Sequence, residues 1–326
     1  MHKEKGAMMH KPFTTTEQQI QILKRRNIKF SNEGIAKRRL QREGYYSIIN
    51  GYKDPFLVNE SANAKEDKFK EGTEFEDIYQ LFKFDRELRS TIFIATTKAE
   101  AVLRTTCAYH FTKKYPNIKN AYLDSSYYNP KAKVHGLIAD FHRIIANNSP
   151  ATKHPERIKS YIQHCITRHD GEVPLWVLSN NLTLGQTTWF FKSQTKDVRG
   201  EIAQTYTKLY NQSHKTPITI DSKKLDSVYT RIREFRNICA HDERLYCAQP
   251  LTANEKVFQL IKDFNLIIDK SEYLEFLKKI EALLTNLCKK TSKNPYCFNH
   301  VLKQMGIDNM DNYKQWYEKA REPKKH

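Results

Sequence analysis

Apolar residues recur along this chain mostly at steps of three and four, and only 10 glycines and 11 prolines interrupt them. That spacing places one apolar stripe along each helix, so the pattern predicts an all-α protein. The stretch "TTTEQQIQILKRRNI" predicts a first helix, with a capping start at Thr14 to Thr16 followed by Glu17, and with Ile20, Leu23 and Ile28 as its buried stripe. The stretch "FDRELRSTIFIATTKAEAVLRTTCAYHF" is strongly periodic. Leu88, Ile92, Ala95, Ala99, Val102 or Leu103, and Thr106 follow one face of it, and it carries Glu100 and Arg104. "PLWVLSNNLTLGQTTWFFKSQ" predicts two short helices around Gly185 that pack Trp176 and Trp189 into the core. Two more helices are expected after residue 251, ahead of a loose tail "REPKKH". The polar stretch 59 to 74, "NESANAKEDKFKEGTE", reads as a loop. It divides the chain into a basic N-terminal helical region, 1–75, and a helical body, 76–326.

One predicted helix also carries the chemistry. At about 100° per residue over positions 222 to 241, Leu225, Val228, Tyr229, Ile232, Phe235 and Cys239 fall on one buried stripe. Arg236 falls near that stripe. A guanidinium is always charged, and hiding it alone is expensive, so its place implies a carboxylate, an interface or a bound phosphate. Asn237 and His241 stand four apart and share a different face. Arg236 and His241 lie roughly 140° apart on an ideal helix and converge only if the arginine reaches across or the helix ends there. Arginine and histidine without a carboxylate cluster suit cleavage of an RNA phosphodiester. There the 2′-hydroxyl is the nucleophile, histidine moves a proton and arginine stabilises charge on the phosphate oxygens. On spacing alone, a structural histidine near a helix end remains the alternative.

Composition strengthens the nucleic-acid reading. Lys and Arg total 55 against 37 Asp and Glu, a formal charge of +18, which attracts polyanions over long range. Near the N-terminus, Lys37, Arg38, Arg39 and Arg42 precede Tyr45, Tyr46 and Tyr52. This is either a surface that grips phosphates and stacks on bases, or a solvated basic helix followed by a tyrosine-rich packing corner. The six cysteines form no C-x-x-C pair, no apolar run is long enough to span a bilayer, and "MHKEKGAMMHKPF" lacks the apolar core of a signal peptide. These features predict a reduced, cytoplasmic protein without a membrane partner. "HCITRH" offers His164, Cys165 and His169 at a spacing that fits no standard zinc pattern, and His135 and His142 are no better placed, so no metal and no cofactor is expected. His110 projects near an apolar stripe and reads as a core histidine. No Gly-rich phosphate loop, G-x-S-x-G elbow or two-metal carboxylate set is found, which speaks against ATPases and serine hydrolases.

"RNICAH" at 236–241 resembles the R-[N/D/H]-x-x-x-H signature of HEPN (higher eukaryotes and prokaryotes nucleotide-binding) ribonucleases at each specified position. The blocks "EQQIQILKRRNIKFSN", "REGYYSIINGYKDPF", "LFKFDRELRSTIFIATTKAEAVLRTTCAYH", "PLWVLSNNLTLGQ" and "RNICAHDERLY" are similar, in the same order, to the Abi-like (AbiD/AbiF) abortive-infection family, over about residues 12 to 247. Several ordered blocks are far more specific than one six-residue match. The resemblance implies an all-α HEPN-type helical bundle with a basic helical N-terminal extension, metal-independent RNA cleavage and a role in defence against phage. It places the catalytic residues at Arg236, Asn237 and His241, with Glu100 and Arg104 on the earlier helix in support. A simple intrahelical ion pair explains Glu100 and Arg104 almost equally well. After the histidine the family commonly carries a His/Asn-Arg stretch. Here "DER" sets Asp242 and Glu243 before Arg244, and these carboxylates either act on His241 or only decorate a helix end.

The expected partners are RNA, as substrate and as a small structured non-coding RNA that restrains the enzyme, and a second copy of the chain. One histidine serves as acid or base but not both at once, so a symmetric dimer assembles a full site more easily. A non-catalytic RNA-binding module, in which Lys37 to Arg42 matter more than His241, is the competing expectation.

Overall fold

The computed structural model describes residues 13–58, 67–250 and 255–324. The stretch read as lacking a signal peptide therefore lies outside the described residues for its first twelve positions, as do residues 59–66 of the predicted loop and the last two of the tail. The α-helices are α1 (Thr16–Arg25), α2 (Glu33–Glu43), α3 (Phe75–Lys114), α4 (His135–Asn147), α5 (Ser160–Arg168), α6 (Leu175–Leu178), α7 (Leu184–Ser193), α8 (Lys196–Ser213), α9 (Ser222–Ala240), α10 (Val257–Phe264), α11 (Lys270–Lys290), α12 (Pro295–Met305) and α13 (Met310–Arg321). Among the described residues there are two isolated β-bridges, Lys29 with Glu74 and Leu57 with Phe69, and no strand, so the protein is all-α. No described helix is long and apolar enough to cross a membrane.

Two compact units divide the chain. Residues up to Glu87 together with Leu283–Val301 form the first, and Leu88–Ala282 with Leu302 onward form the second. One break between the units falls inside α3.

In the first unit, α1 begins as expected on a threonine, but the reciprocal cap pairs Thr15 with Gln18 and not with Glu17. Gln18 is the third helical residue, where a side chain reaches back to the cap N–H; Glu17 is one position too early. Ile20 and Leu23 are buried on the helix, while Ile28 is buried just beyond its end. The Tyr52 hydroxyl donates to the fully buried Asp85 carboxylate at 2.8 Å, satisfying a charge that would otherwise be costly inside. In the predicted polar loop, residue Phe69 is fully buried.

In the second unit, the α3 stripe Leu88, Ile92, Ala95, Ala99, Leu103 and Thr106 is buried, with Leu103 rather than Val102 at the ambiguous position. His110 is buried too, its ring nitrogens 3.1 Å from Glu201 and 2.8 Å from Thr205, so it is a satisfied core histidine. Two helices, α10 and α11, follow residue 251 as expected, and α12 and α13 continue the helical pattern. The exception is tryptophan: Trp176 is 57% exposed and Trp189 42% exposed. Leu175 and Leu178 anchor α6, and Phe190 and Phe191 anchor α7. On so short a helix, the residue beside an anchor is turned outward by about 100°.

Candidate functional site

Helix α9 forms as its stripe predicts except at Cys239, which is half-buried in the last turn, where the helix stops and its face is no longer fully covered. Asp221 caps it by accepting from the Lys224 N–H at 2.7 Å, and Leu225, Val228, Tyr229, Ile232 and Phe235 are all buried. Three contacts show how it runs against α3. The Tyr229 hydroxyl donates to the Ala99 carbonyl at 2.8 Å, the Arg236 guanidinium lies 5.8 Å from the Phe93 ring centre, and the Asp242 carboxylate meets Arg89. As α9 advances, its partners step backward along α3, so the two helices are antiparallel.

The helix ends at Ala240 with His241 as its C-cap, whose N–H still reaches the Asn237 carbonyl at 3.0 Å. Asp242 then takes a left-handed conformation, φ 56°, and the Glu243 N–H returns to the Ile238 carbonyl at 3.2 Å. This six-to-one bond after a left-handed residue is a Schellman stop; aspartate fills the place usually held by glycine, at a tolerable cost. Arg89 braces the turn. Only 4% exposed, it donates to the Asp242 carboxylate at 2.5 Å and to the Glu243 carbonyl at 3.2 Å. Leu245 and Tyr246, both buried, hold the next residues down. Asp242 is thus a structural ligand of Arg89, and the unusual "DER" makes a helix stop.

Above this stop, His241 and Asn237 are exposed and Arg236 is half-buried. Among the described residues no carboxylate lies within ion-pair distance of Arg236, and its guanidinium makes no hydrogen bond. The nearest compensation is electrostatic. Glu100, half-buried on α3, has its carboxyl raised by desolvation, and the positive charges of Arg104 and Arg236 offset part of that rise. Glu100, Arg104 and Arg236 therefore form one charge group, although Glu100 and Arg104 make no close ion pair with each other. Arg104 donates instead to the Asn180 carbonyl at 3.5 Å. Arg244 is exposed on the far side of the stop.

The basic N-terminal residues all belong to the first unit. On α2, Lys37 pairs with Glu17, and Arg39 pairs with Glu76 while stacking 3.8 Å over the Tyr79 ring. Arg38 and Arg42 are exposed, one turn apart, with no carboxylate within ion-pair distance among the described residues. Tyr52 is buried and Tyr45 half-buried, its hydroxyl raised by that burial, whereas Tyr46 is 77% exposed. Two groups of interest carry no motif. Arg89 was hidden because its partner lies 153 residues on, and its only sequence signal is an arginine adjoining an apolar stripe. Tyr109 and Trp176 are exposed, Trp176 against the expectation that it packs into the core. His164 and His169 meet edge to face at 5.6 Å, and no described group of three His, Cys, Asp or Glu side chains is placed to hold a metal ion.

No curated protein and no solved structure matches this sequence. The Abi-like protein family matches residues 38–247, a span that contains α9, its stop, and Glu100 and Arg104 on α3. With more than half of its residues inside that match, the chain belongs to the Abi-like protein family.

Proposed function

We propose that this protein is a metal-independent endoribonuclease of HEPN type, acting in abortive-infection defence, with Arg236, Asn237 and His241 as its catalytic residues. Membership of the Abi-like family supports the defence role. The observation that carries the chemistry is Arg236. A permanently charged side chain is half-buried in the last turn before an exposed histidine, at a helix end braced from α3, with no carboxylate within ion-pair distance among the described residues. Such an arginine is ready for a phosphate, whose two unbridged oxygens match its forked donors.

In the reaction, His241 removes the proton of a ribose 2′-hydroxyl. The 2′-oxygen attacks the adjacent phosphorus, and the bond to the 5′-oxygen of the next nucleotide breaks. That oxygen takes up a proton from an acid, leaving a 2′,3′-cyclic phosphate and a 5′-hydroxyl. Arg236 stabilises the charge that builds on the phosphate oxygens. Asn237, exposed on the face it shares with His241, orients the phosphate or ribose. Glu100 holds Arg236 and Arg104 in place by charge. The acid is the histidine of a second copy, in a dimer formed through this helical region. On the first unit, Arg38, Arg42 and Tyr46 bind RNA, including a small structured RNA that restrains the enzyme; Lys37, Arg39 and Tyr45 shape that surface from within.

The test is incubation of the purified protein and its His241→Ala variant with labelled RNA in excess chelator. Cyclic-phosphate ends made by the wild type alone are expected. Cleavage that persists in folded His241→Ala protein, or that needs a divalent ion, would overturn the assignment.

A further inference from the structure

Beside Arg104 the second unit has a cavity of about 440 Å³. One wall is a single face of α3, where Arg104, Ala108 and Thr112, with Thr105, Tyr109 and Lys113 next to them, follow the helical step. The other wall is Trp176 with Ser179 and Asn180. This volume falls within the roughly 300–1,000 Å³ typical of small-molecule sites. Two large aromatic side chains, Tyr109 at 63% and Trp176 at 57% exposed, border it and are left open to solvent. A smaller hollow of about 70 Å³ adjoins it, sharing Thr112, Pro116 and Trp176, so the Trp176 side chain stands between two spaces.

The charge on this groove is positive. Its lining carries two cations and no carboxylate: Arg104 donates to the Asn180 carbonyl at 3.5 Å and acts on Glu100 through its charge, and Lys113 reaches the Glu201 carboxylate, outside the lining, at 3.2 Å. Arg104 also links the groove to the proposed catalytic group, because the same Glu100 carboxylate feels both Arg104 and Arg236. An apolar peptide would gain nothing from these cations, and the carboxylates of an acidic one would gain nothing from the two aromatic faces. A flat, neutral ring carried on a phosphate chain satisfies both features. Base stacking on aromatic side chains with cations along the backbone is how single strands are held without pairing.

We infer that this groove holds one unstacked nucleobase of a single-stranded RNA, stacked on Trp176 and Tyr109, with Arg104 on the adjoining phosphate. It is a binding subsite for the RNA of the cleavage proposed above and rests on that reading for its role, although its binding can be measured separately. Asn180, whose side-chain amide donates to the Trp176 carbonyl, lies at the rim where a base edge would pass.

The experiment uses a twelve-nucleotide single-stranded RNA containing 2-aminopurine, titrated into the full chain as wild type, His241→Ala, Trp176→Ala, Trp176→Phe and Tyr109→Ala. Both aromatic residues are exposed, so these variants keep the fold, to be checked by circular dichroism. Trp176→Ala and Tyr109→Ala should each weaken binding roughly 5- to 100-fold, the loss of one stacked base. Trp176→Phe should recover most of the loss, and His241→Ala should bind like the wild type. In cleavage assays the alanine variants should raise KM with kcat little changed. Equal affinity and equal KM in wild type, Trp176→Ala and Tyr109→Ala would overturn the groove while leaving the nuclease intact. Stacking-dependent binding without any cleavage would keep the groove and defeat the nuclease. No binding of the oligonucleotide by the wild type would overturn the groove outright.

Discussion

Two of the arginines on helix α9, five residues apart, meet opposite fates. Arg231, in the middle of the helix, grips Asp263 of α10 with two bonds of 2.5 and 3.0 Å, and that carboxylate, 1% exposed, also accepts from Gln259. Arg236, near the helix end, is half-buried, 5.8 Å from the ring centre of Phe93 and within reach of the charge of Glu100, with no carboxylate at ion-pair distance among the described residues. The two lie roughly 140° apart around the helix, on opposite flanks of its apolar stripe, and both are half-buried. The first has its charge matched by a buried carboxylate in a bidentate pair; the second keeps its donors available. A buried charge that the fold has fully paired is structural, and one left open beside a histidine is the better candidate for chemistry.

The sharpest way to break this contrast is to remove each partner in turn. Asp263→Ala leaves Arg231 buried without an acceptor and should cost about 3–5 kcal/mol in denaturant unfolding, with cleavage per folded molecule unchanged. Arg236→Gln should do the reverse, lowering cleavage about 10²- to 10³-fold while moving stability by no more than about 0.5 kcal/mol. If both substitutions fell mainly on stability, the distinction between the two arginines would be lost. Asp242→Ala addresses the brace between them and the end of the helix. It removes one acceptor of Arg89 and places alanine at a left-handed position, so a loss of about 1–3 kcal/mol is expected, with activity falling as the His241 turn loosens. Restoration of activity by added salt or crowding alone would argue against a geometric cause.

The smallest effect concerns Glu100. Its carboxyl is raised above the ordinary range because burial outweighs the pull of Arg104 and Arg236. A raised acid binds its proton more tightly in the folded state, so its ionisation lowers stability as pH climbs from the unfolded value through the folded one. Glu100→Gln should therefore slightly stabilise the protein at neutral pH. That gain should vanish below the ordinary glutamate range, where both forms are neutral. Thermal melts of the two proteins across pH 4 to 8 would check the sign; a loss of stability at neutral pH would mean that the two arginines depend on the carboxylate more than burial penalises it.

Much of this was legible in the chain. The 3.6-residue spacing placed α9 and its buried face, set His110 in the core and put Arg236, Asn237 and His241 near one helix end. The ordered sequence blocks pointed to the family that the chain belongs to. Less legible were the outward turns of Trp176 and Trp189. Aromatic residues in an apolar run read as core, but a helix as short as α6 buries only its two leucines and turns the intervening ring to solvent.

The sequence by itself determined the elements that repeat with a local period, because each helix face is written by residues three and four positions apart. Only the tertiary structure decided which charges are paired. Arg231 found its carboxylate 32 residues away and Arg89 found its own 153 residues away, while Arg236 found none among the described residues. Such pairings depend on which helices meet and in which direction they run. Packing of whole apolar faces settles that, and no local spacing of charged residues records it.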